Sequence, residues 1–432
     1  MNRILSFKVR EQDRQSWGST ALIAAGRLIC IPALMVGGIL GEGLSLAGVA
    51  FCTIIGGLIL LVCACFVGIR SSVTGLPSAV ICVDGLGVWG ARLIPALLIT
   101  ITSVGWFGVQ AAICGFFFSV LTADVLGIFV PPWGATIFWG FIMCIATMYG
   151  YRVVRHFYYI IVPVLFLILI YTVIRTVFFS EAGSVAALLA WRPVKSIPYV
   201  TGITLVVGDW AMGAFIAGDY CRYTKRPRDV VLGISAGLLV ALPAVFLGGA
   251  VSRIAAGSAN ITIILNSMGF PAISLIFLIF AAWALNLVNA YSGGITLLVL
   301  LNFEEKRLNA SIALTGIAGT VLGAAGILSR FTDFLSLLSS LIPPLIGVLM
   351  GAQAVNVLER GGKTGNAAGE RRGPRMNAGF HVPGIIAYAL GALIAWLTAA
   401  VIPFFIPPLN GIVIAAAVYV VLEKLLPRCT SK

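Results

Sequence analysis

Val206-Val207-Gly208-Asp209-Trp210-Ala211-Met212-Gly213-Ala214-Phe215-Ile216-Ala217-Gly218-Asp219-Tyr220-Cys221-Arg222-Tyr223 is the stretch around which the rest of the chain is organised. It is apolar enough to cross a bilayer, yet it holds an acid beside a tryptophan, three glycines and a charged exit through Asp219 and Arg222. A carboxylate at mid-membrane depth costs a few kcal/mol or more, so Asp209 marks a functional site that needs a named partner. Glycine loosens a helix, and non-helical backbone is tolerated at that depth only where it is buried or lines a wet cavity. The stretch therefore reads as an interrupted span and as half of a substrate site.

Composition sets the class. The chain has 432 residues, 60% hydrophobic and 10% charged, with mean hydropathy +1.07. Soluble domains carry roughly 25% charged residues, so this is an all-α polytopic membrane protein. Its net charge of +13 lies in loops without interleaved aromatics, which argues against nucleic acid and for loops facing an anionic leaflet. Nine cysteines are scattered, mostly in apolar spans, as small buried thiols rather than metal ligands. With two histidines only, His156 and His381, a histidine metal site is not expected. The segment before Trp17 is polar and basic and reads as cytoplasmic, with no cleavable signal peptide.

Apolar windows of about 20 residues place about twelve spans. They lie near 19–41, 47–69, 93–119, 134–151, 157–178, 198–218, 229–252, 271–301, 309–327, 332–356, 383–403 and 408–426. With the N-terminus inside, twenty-two of the 28 Lys and Arg fall in cytoplasmic segments and four, Arg192, Lys195, Arg253 and Arg330, outside. That bias predicts both termini in the cytoplasm of a bacterial inner membrane. The first span is interrupted at Ala25-Gly26-Arg27-Leu28-Ile29-Cys30-Ile31-Pro32 and the sixth at Gly208-Asp209-Trp210 and Gly213. Paired interruptions at equivalent places in two five-span halves point to the midplane site of an inverted-repeat transporter. The expected division is a cytoplasmic segment (1–18), a first repeat (19–178), a second repeat (198–356), a basic cytoplasmic loop (357–382), two further spans (383–426) and a tail (427–432).

Val104-Gly105-Trp106-Phe107-Gly108-Val109-Gln110, Gly38 to Ser45, Thr74-Gly75-Leu76, Asp219-Tyr220-Cys221-Arg222-Tyr223 and Ile342-Pro343-Pro344 together resemble the nucleobase–cation symporter-1 family, most closely its bacterial cytosine permease branch. The resemblance implies a leucine-transporter-like five-plus-five repeat with two extra helices, and uptake of a small planar heterocycle, usually coupled to sodium or protons. It also implies that the ring lies between Trp106 on span three and Trp210 on span six; an indole face suits that task in any case. Packing within the bundle is the alternative role for both. Gln110, one turn beyond Trp106 and on its face, matches a glutamine that binds ligand in the hydantoin transporter. Ser103 stands where the cytosine permease has its own glutamine. Asn286 aligns with the asparagine that reads cytosine, since an amide both donates and accepts; its alternative is a bond to a neighbouring helix. Leu285 or Asn289 takes its place if the register slips. Gly213 and Cys30 complete the expected substrate-binding set.

The departures from that family carry their own expectation. Where sodium-coupled members have adjacent hydroxyls, this chain has Asn289 and Ala290; between the carbonyl positions Gly26 and Ile29 sits Arg27, a permanent cation. Arg27 is expected to stand in for sodium, so that the sodium site is lost and coupling is to protons or absent. Asp209 is then expected to pair with Arg27, to accept from the substrate or to carry the proton. Asp219 and Arg222 read as a cytoplasmic anchor. An acid after Pro-Pro on span ten falls at Ala352, beside Gln353, and an Arg-containing motif is replaced by Val80-Ile81-Cys82-Val83-Asp84. The function expected is secondary active uptake of cytosine or a related amino-pyrimidine. Its alternatives are a hydroxymethylpyrimidine, purine, hydantoin or allantoin, or an amino-acid or amine permease of the same fold. No cofactor is expected, the bilayer is the expected surrounding, and a monomer is the expected state. No set of catalytic residues argues for an enzyme, and no repeated polar face argues for a channel.

Overall fold

The computed structural model describes residues 9, 11–148, 167, 170, 171, 174, 185–256, 271–359 and 379–426. Fifteen α-helices run through them: α1 (Trp17–Leu28), α2 (Ile31–Gly43), α3 (Leu46–Thr74), α4 (Ser78–Ile81), α5 (Val83–Leu126), α6 (Pro132–Met148), α7 (Val185–Ala190), α8 (Tyr199–Phe215), α9 (Ala217–Cys221), α10 (Pro227–Ala256), α11 (Pro271–Leu300), α12 (Leu308–Ala324), α13 (Phe331–Glu359), α14 (Val382–Ala400) and α15 (Pro407–Leu425). Among the described residues eight helices are long and apolar enough to cross a bilayer, nine when the bent pair α1–α2 counts as one. The shorter apolar helices α6 and α12 occupy the fourth and ninth expected spans. Eleven of the twelve expected spans thus have helix in their place. The fifth, 157–178, lies outside the described residues apart from four positions, as do His156, Arg175, the N-terminal residues 1–8, most of the basic loop (360–378) and the tail (427–432).

The local sequence accounts for the element ends. Ser45 caps α3, its hydroxyl accepting from Gly48 N–H at 3.2 Å. α3 stops at Gly75 and α5 at Gly127, both left-handed with φ 74° and 66°. Span one breaks as expected: α1 and α2 meet at 61° across Ile29 and Cys30. Pro32 stands in the first turn of α2, where its missing N–H leaves no bond unmade.

Span six departs from the expectation. α8 runs unbroken through Gly208, Asp209 and Gly213, and the interruption falls at Ile216, between α8 and α9 (φ −79°, ψ 6°). Gly208 serves packing instead: a Cβ there would run into the backbone of Leu335 on α13. α5 is the other departure. Its 44 residues would reach roughly 66 Å at 1.5 Å each, about twice the hydrocarbon thickness. Gly87, at φ 72° and ψ 174°, breaks it near its start. The backbone groups freed there bond the chain entering α14: His381 N–H donates to Leu86 O at 2.9 Å and Trp89 N–H to Gly379 O at 3.4 Å.

Two groups of helices emerge from the packing. α1, α2, α3, α8 and α10 pack on one another; α5, α6, α11 and α12 form the second group. Small residues let the first group close up, as at Gly41, where a Cβ would lie 2.8 Å from Ala250 Cα on α10. α13 lies against α8 of one group and α5 of the other, and α14 and α15 pack on α13. A site between the two groups is the consequence.

A candidate substrate cavity between two helix groups

A cavity of about 110 Å³ lies between the groups, far above the 10–15 Å³ that holds one water. Arg27 and Cys30 reach it from the break in span one, with Pro32 beside them. Ser103, Trp106 and Gln110 reach it from α5, one face of a helix at spacing three and four. Asp209, Trp210 and Gly213 come from α8, and Leu285, Val288, Asn289 and Ser292 from α11. Eight of the residues expected at the substrate or at the coupling site therefore share one cavity: Arg27, Cys30, Ser103, Trp106, Gln110, Asp209, Trp210 and Gly213, with Asn289 as a ninth.

The two indoles are held differently. Trp106 stands edge-on to two rings of α13, Phe334 at 5.4 Å and Phe331 at 6.1 Å between centroids, which fix its plane. Trp210 is 3% exposed and lies along its own helix over Gly213. A Cβ on Gly213 would sit 2.5 to 2.7 Å from the indole atoms Cε2, Nε1 and Cδ2. The position has to be glycine if the indole is to keep this pose.

Four buried polar atoms on this cavity's residues have no hydrogen-bond partner among the described residues: Arg27 Nε, Gln110 Oε1, Asp209 Oδ1 and Trp210 Nε1. Two are donors by nature and two are oxygens. Buried polar groups are nearly always bonded in folded proteins, so four unpaired atoms on residues of one cavity leave hydrogen-bonding capacity there for a polar guest or for water. The expected bridge between Arg27 and Asp209 is not formed: both border the cavity, yet no ion pair joins them among the described residues.

Two expectations meet different geometry. Asn286 is fully buried and does not border the cavity. Its amide donates to Phe107 O at 3.0 Å and touches Met143 Sδ at 3.1 Å, and its oxygen accepts from Asn289 Nδ2 at 3.4 Å. It ties α11 to α5 and α6, while Asn289 one turn on faces the cavity. Gly26 is set back as well; it lies within α1, ahead of the bend, and does not line the cavity. The α11 lining was available in the sequence as a stripe at 285, 288, 289 and 292, the spacing of one helix face. The sequence reading names Leu285 and Asn289 from it; Ser292, Met212 and Thr102 also border the cavity.

Asp219 and Arg222 lie apart from this cavity. The Asp219 carboxylate accepts from Ser78 N–H at 2.8 Å, and the Arg222 guanidinium donates to Asp219 O at 3.2 Å and Tyr223 Oη at 3.1 Å. The chain before α1 is strapped to the same region. Arg14 Nη1 donates to Ser72 O at 2.9 Å and Thr224 O at 3.1 Å, and Gln15 N–H donates to Tyr223 O at 2.6 Å. Nothing in the sequence pattern marked Arg14, which besides its ion pair with Glu11 at 3.2 Å has backbone carbonyls far along the chain as partners. Among the described residues no three His, Cys, Asp or Glu side chains come together as a metal site would need.

Residues 9–421 match a protein family described as "Permease for cytosine/purines, uracil, thiamine, allantoin". The cytosine permease of Escherichia coli (strain K12) is 26% identical over 431 residues, which cover 100% of this chain and 96% of that one. The structure of Mhp1, a nucleobase-cation-symport-1 family transporter with bromovinylhydantoin bound in a closed conformation, superposes with a TM-score of 0.74 at 19% identity, over 97% of this chain and 94% of that one. Its inward-facing conformation gives 0.79 at 18% identity over the same shares. A sodium-coupled sialic acid symporter follows at 0.63 and 11% identity, over 96% and 90%. The all-helical fold is the one these transporters share.

Proposed function

The chain belongs to the family of permeases for cytosine/purines, uracil, thiamine and allantoin, and from that premise we propose that it imports a nucleobase, cytosine or a related amino-pyrimidine, by alternating access around the cavity between its two helix groups. It is a multi-pass membrane transporter and not an enzyme. The observation that carries the substrate reading is the set of four unpartnered atoms, Arg27 Nε, Gln110 Oε1, Asp209 Oδ1 and Trp210 Nε1, around a cavity bordered by two indoles. An amino-oxo ring offers flat faces to Trp106 and Trp210, N–H groups to the two oxygens and ring or carbonyl acceptors to the two donors. The chain works in this reading as a monomer in a bacterial inner membrane with both termini in the cytoplasm, as the Lys and Arg bias supports.

Coupling is to protons, or absent, in the same reading. Arg27 borders the cavity beside the span-one break, where its fixed charge opposes a bound cation, and positions 289 and 290 hold no hydroxyls. Asp209 is the group available to carry a proton or to accept from the ring, since no ion pair joins it to an arginine among the described residues.

A hydantoin-like ring is the second reading. It is favoured by the withdrawal of Asn286 from the cavity and by the unpartnered oxygen of Gln110, the position that the family resemblance links to hydantoin binding.

The test is competition by a panel of bases and hydantoins against uptake of radiolabelled cytosine, in cells lacking their own permeases, under imposed sodium and proton gradients. Cytosine analogues should compete best, uptake should ignore sodium, and Asp209→Asn should lower uptake by tenfold or more. Uptake that follows a sodium gradient at constant pH would refute the coupling, and competition by hydantoins alone would turn the substrate to the second reading.

A further inference from the structure

Gln353 and Asp84, 269 positions apart in the chain, meet at one guanidinium. Arg70, in the last turns of α3, donates through Nη1 to Gln353 Oε1 on α13 and through Nη2 to Asp84 Oδ2 at the start of α5. The side chains of the ion pair are 21% and 10% exposed, so it is screened far less than a surface pair would be. A guanidinium suits this task because its planar fork addresses two acceptors on two helices at once.

The place of the pair matters more than its strength. α3 belongs to the helix group that brings Arg27, Asp209 and Trp210 to the cavity; Asp84 stands in the first turn of α5, before the break at Gly87 and on the chain that leads into the group of Trp106 and Gln110, and Gln353 stands on α13, which packs on both groups. Of the ion pairs formed among described residues, Arg70–Asp84 is the one that joins the first group to the chain entering the second: Arg253–Glu42 lies within the first group, His381–Glu423 joins the start of α14 to α15, and the remainder join near neighbours in sequence. Asp84 is buttressed in turn, its carbonyl accepting from Tyr419 Oη on α15 at 3.3 Å. Next to it Gly85 O faces His381 Nδ1 at 3.2 Å, while His381 Nε2 lies 3.0 Å from Glu423. The α5 side of the lock is therefore braced by the C-terminal helix pair.

Alternating access requires one group to rock against the other about the cavity. The end of the seam that holds Arg70 is the end assigned above to the cytoplasm, where the substrate must leave. We propose that Arg70 and Asp84, with Gln353 as the second acceptor, form an interlock that holds this end of the seam shut and parts once in each transport cycle. The inference rests on the transport reading, though not on which ring is carried.

Cys30 supplies the readout, because it is a free thiol bordering the cavity, and the interlock would let the cytoplasm reach it only while the seam is open. In inside-out membrane vesicles carrying the full chain, labelling of Cys30 by a membrane-impermeant maleimide is followed by mass spectrometry of its peptide. Arg70→Gln and Asp84→Asn should each label about tenfold faster than the parent, and the exchange Arg70→Asp with Asp84→Arg should return towards the parent rate. Unchanged rates in both single variants, with normal amounts in the membrane, overturn the interlock. If neither variant reaches the membrane, Gln353→Ala, which removes one uncharged contact, decides in the same way. Faster labelling alongside failure to take up any base would leave the interlock standing and sink the substrate reading alone.

Discussion

Trp210 and Gly213 form a pair in which one residue exists for the other. The missing side chain at 213 is the space the indole occupies, so Gly213→Ala should displace the ring without unpacking the bundle. A stacked base is worth about 1–3 kcal/mol per aromatic, and the expected result is a KM for uptake raised roughly five- to hundredfold at near-normal thermal stability. Asn286 and Asn289 separate in the opposite sense. Asn286→Ala removes a buried amide that bonds Phe107 O, and should lower stability by about 0.5–2 kcal/mol. Asn289→Ala should leave the melting temperature alone and raise KM, since its side chain faces the cavity. Measuring both quantities for both variants checks the assignment; a KM effect confined to Asn286 would reverse it. The sequence offers both amides as candidates, but it does not say which of the two, three positions apart, borders the cavity.

Among the elements, α5 is the most burdened. It supplies Trp106 and Gln110 at its middle and receives the entry to α14 at its break. Gly87 sits in a backbone region that other residues reach only at a cost of about 1–3 kcal/mol, and a Cβ there would also press on Gly379 O. Gly87→Ala should therefore lower the melting temperature and loosen α14, seen as faster hydrogen exchange in 379–384, while the cavity residues stay in place. Equal exchange in that segment would refute the brace. The break in span one was readable from Gly26 and Pro32, because proline forbids a local bond whatever surrounds it. The span-six break was not readable from Gly208 and Gly213. Glycine permits a break without imposing one, and here both glycines serve close packing inside an unbroken α8.

On the scale of the whole molecule, function follows from two helix groups that share few contacts with each other and border one cavity. The tie of Arg70 to Asp84 and Gln353 lies outside the cavity's lining, so the proposed interlock separates the residues that set transport rate from those that set substrate affinity. Variants at Arg70 should change the rate of opening, and variants at Trp106 or Trp210 the KM. What the sequence by itself determined was the membrane class, the places of the spans, the break at Arg27 to Pro32 and the kinds of residue at the site. Each of these depends on local quantities, namely hydropathy over a window, a missing donor, or a charge too costly to be incidental. What only the tertiary structure decided was facing and pairing. A helix turns 100° with each residue, and packing sets its rotation, so Asn286 could be taken for a cavity residue until α5 and α6 were seen to hold it. For the same reason Arg27 and Asp209 share a cavity without pairing, while Arg70 found Gln353, 283 positions away in the chain. Such a distance in sequence carries no local signal; only helix packing brings the two side chains together.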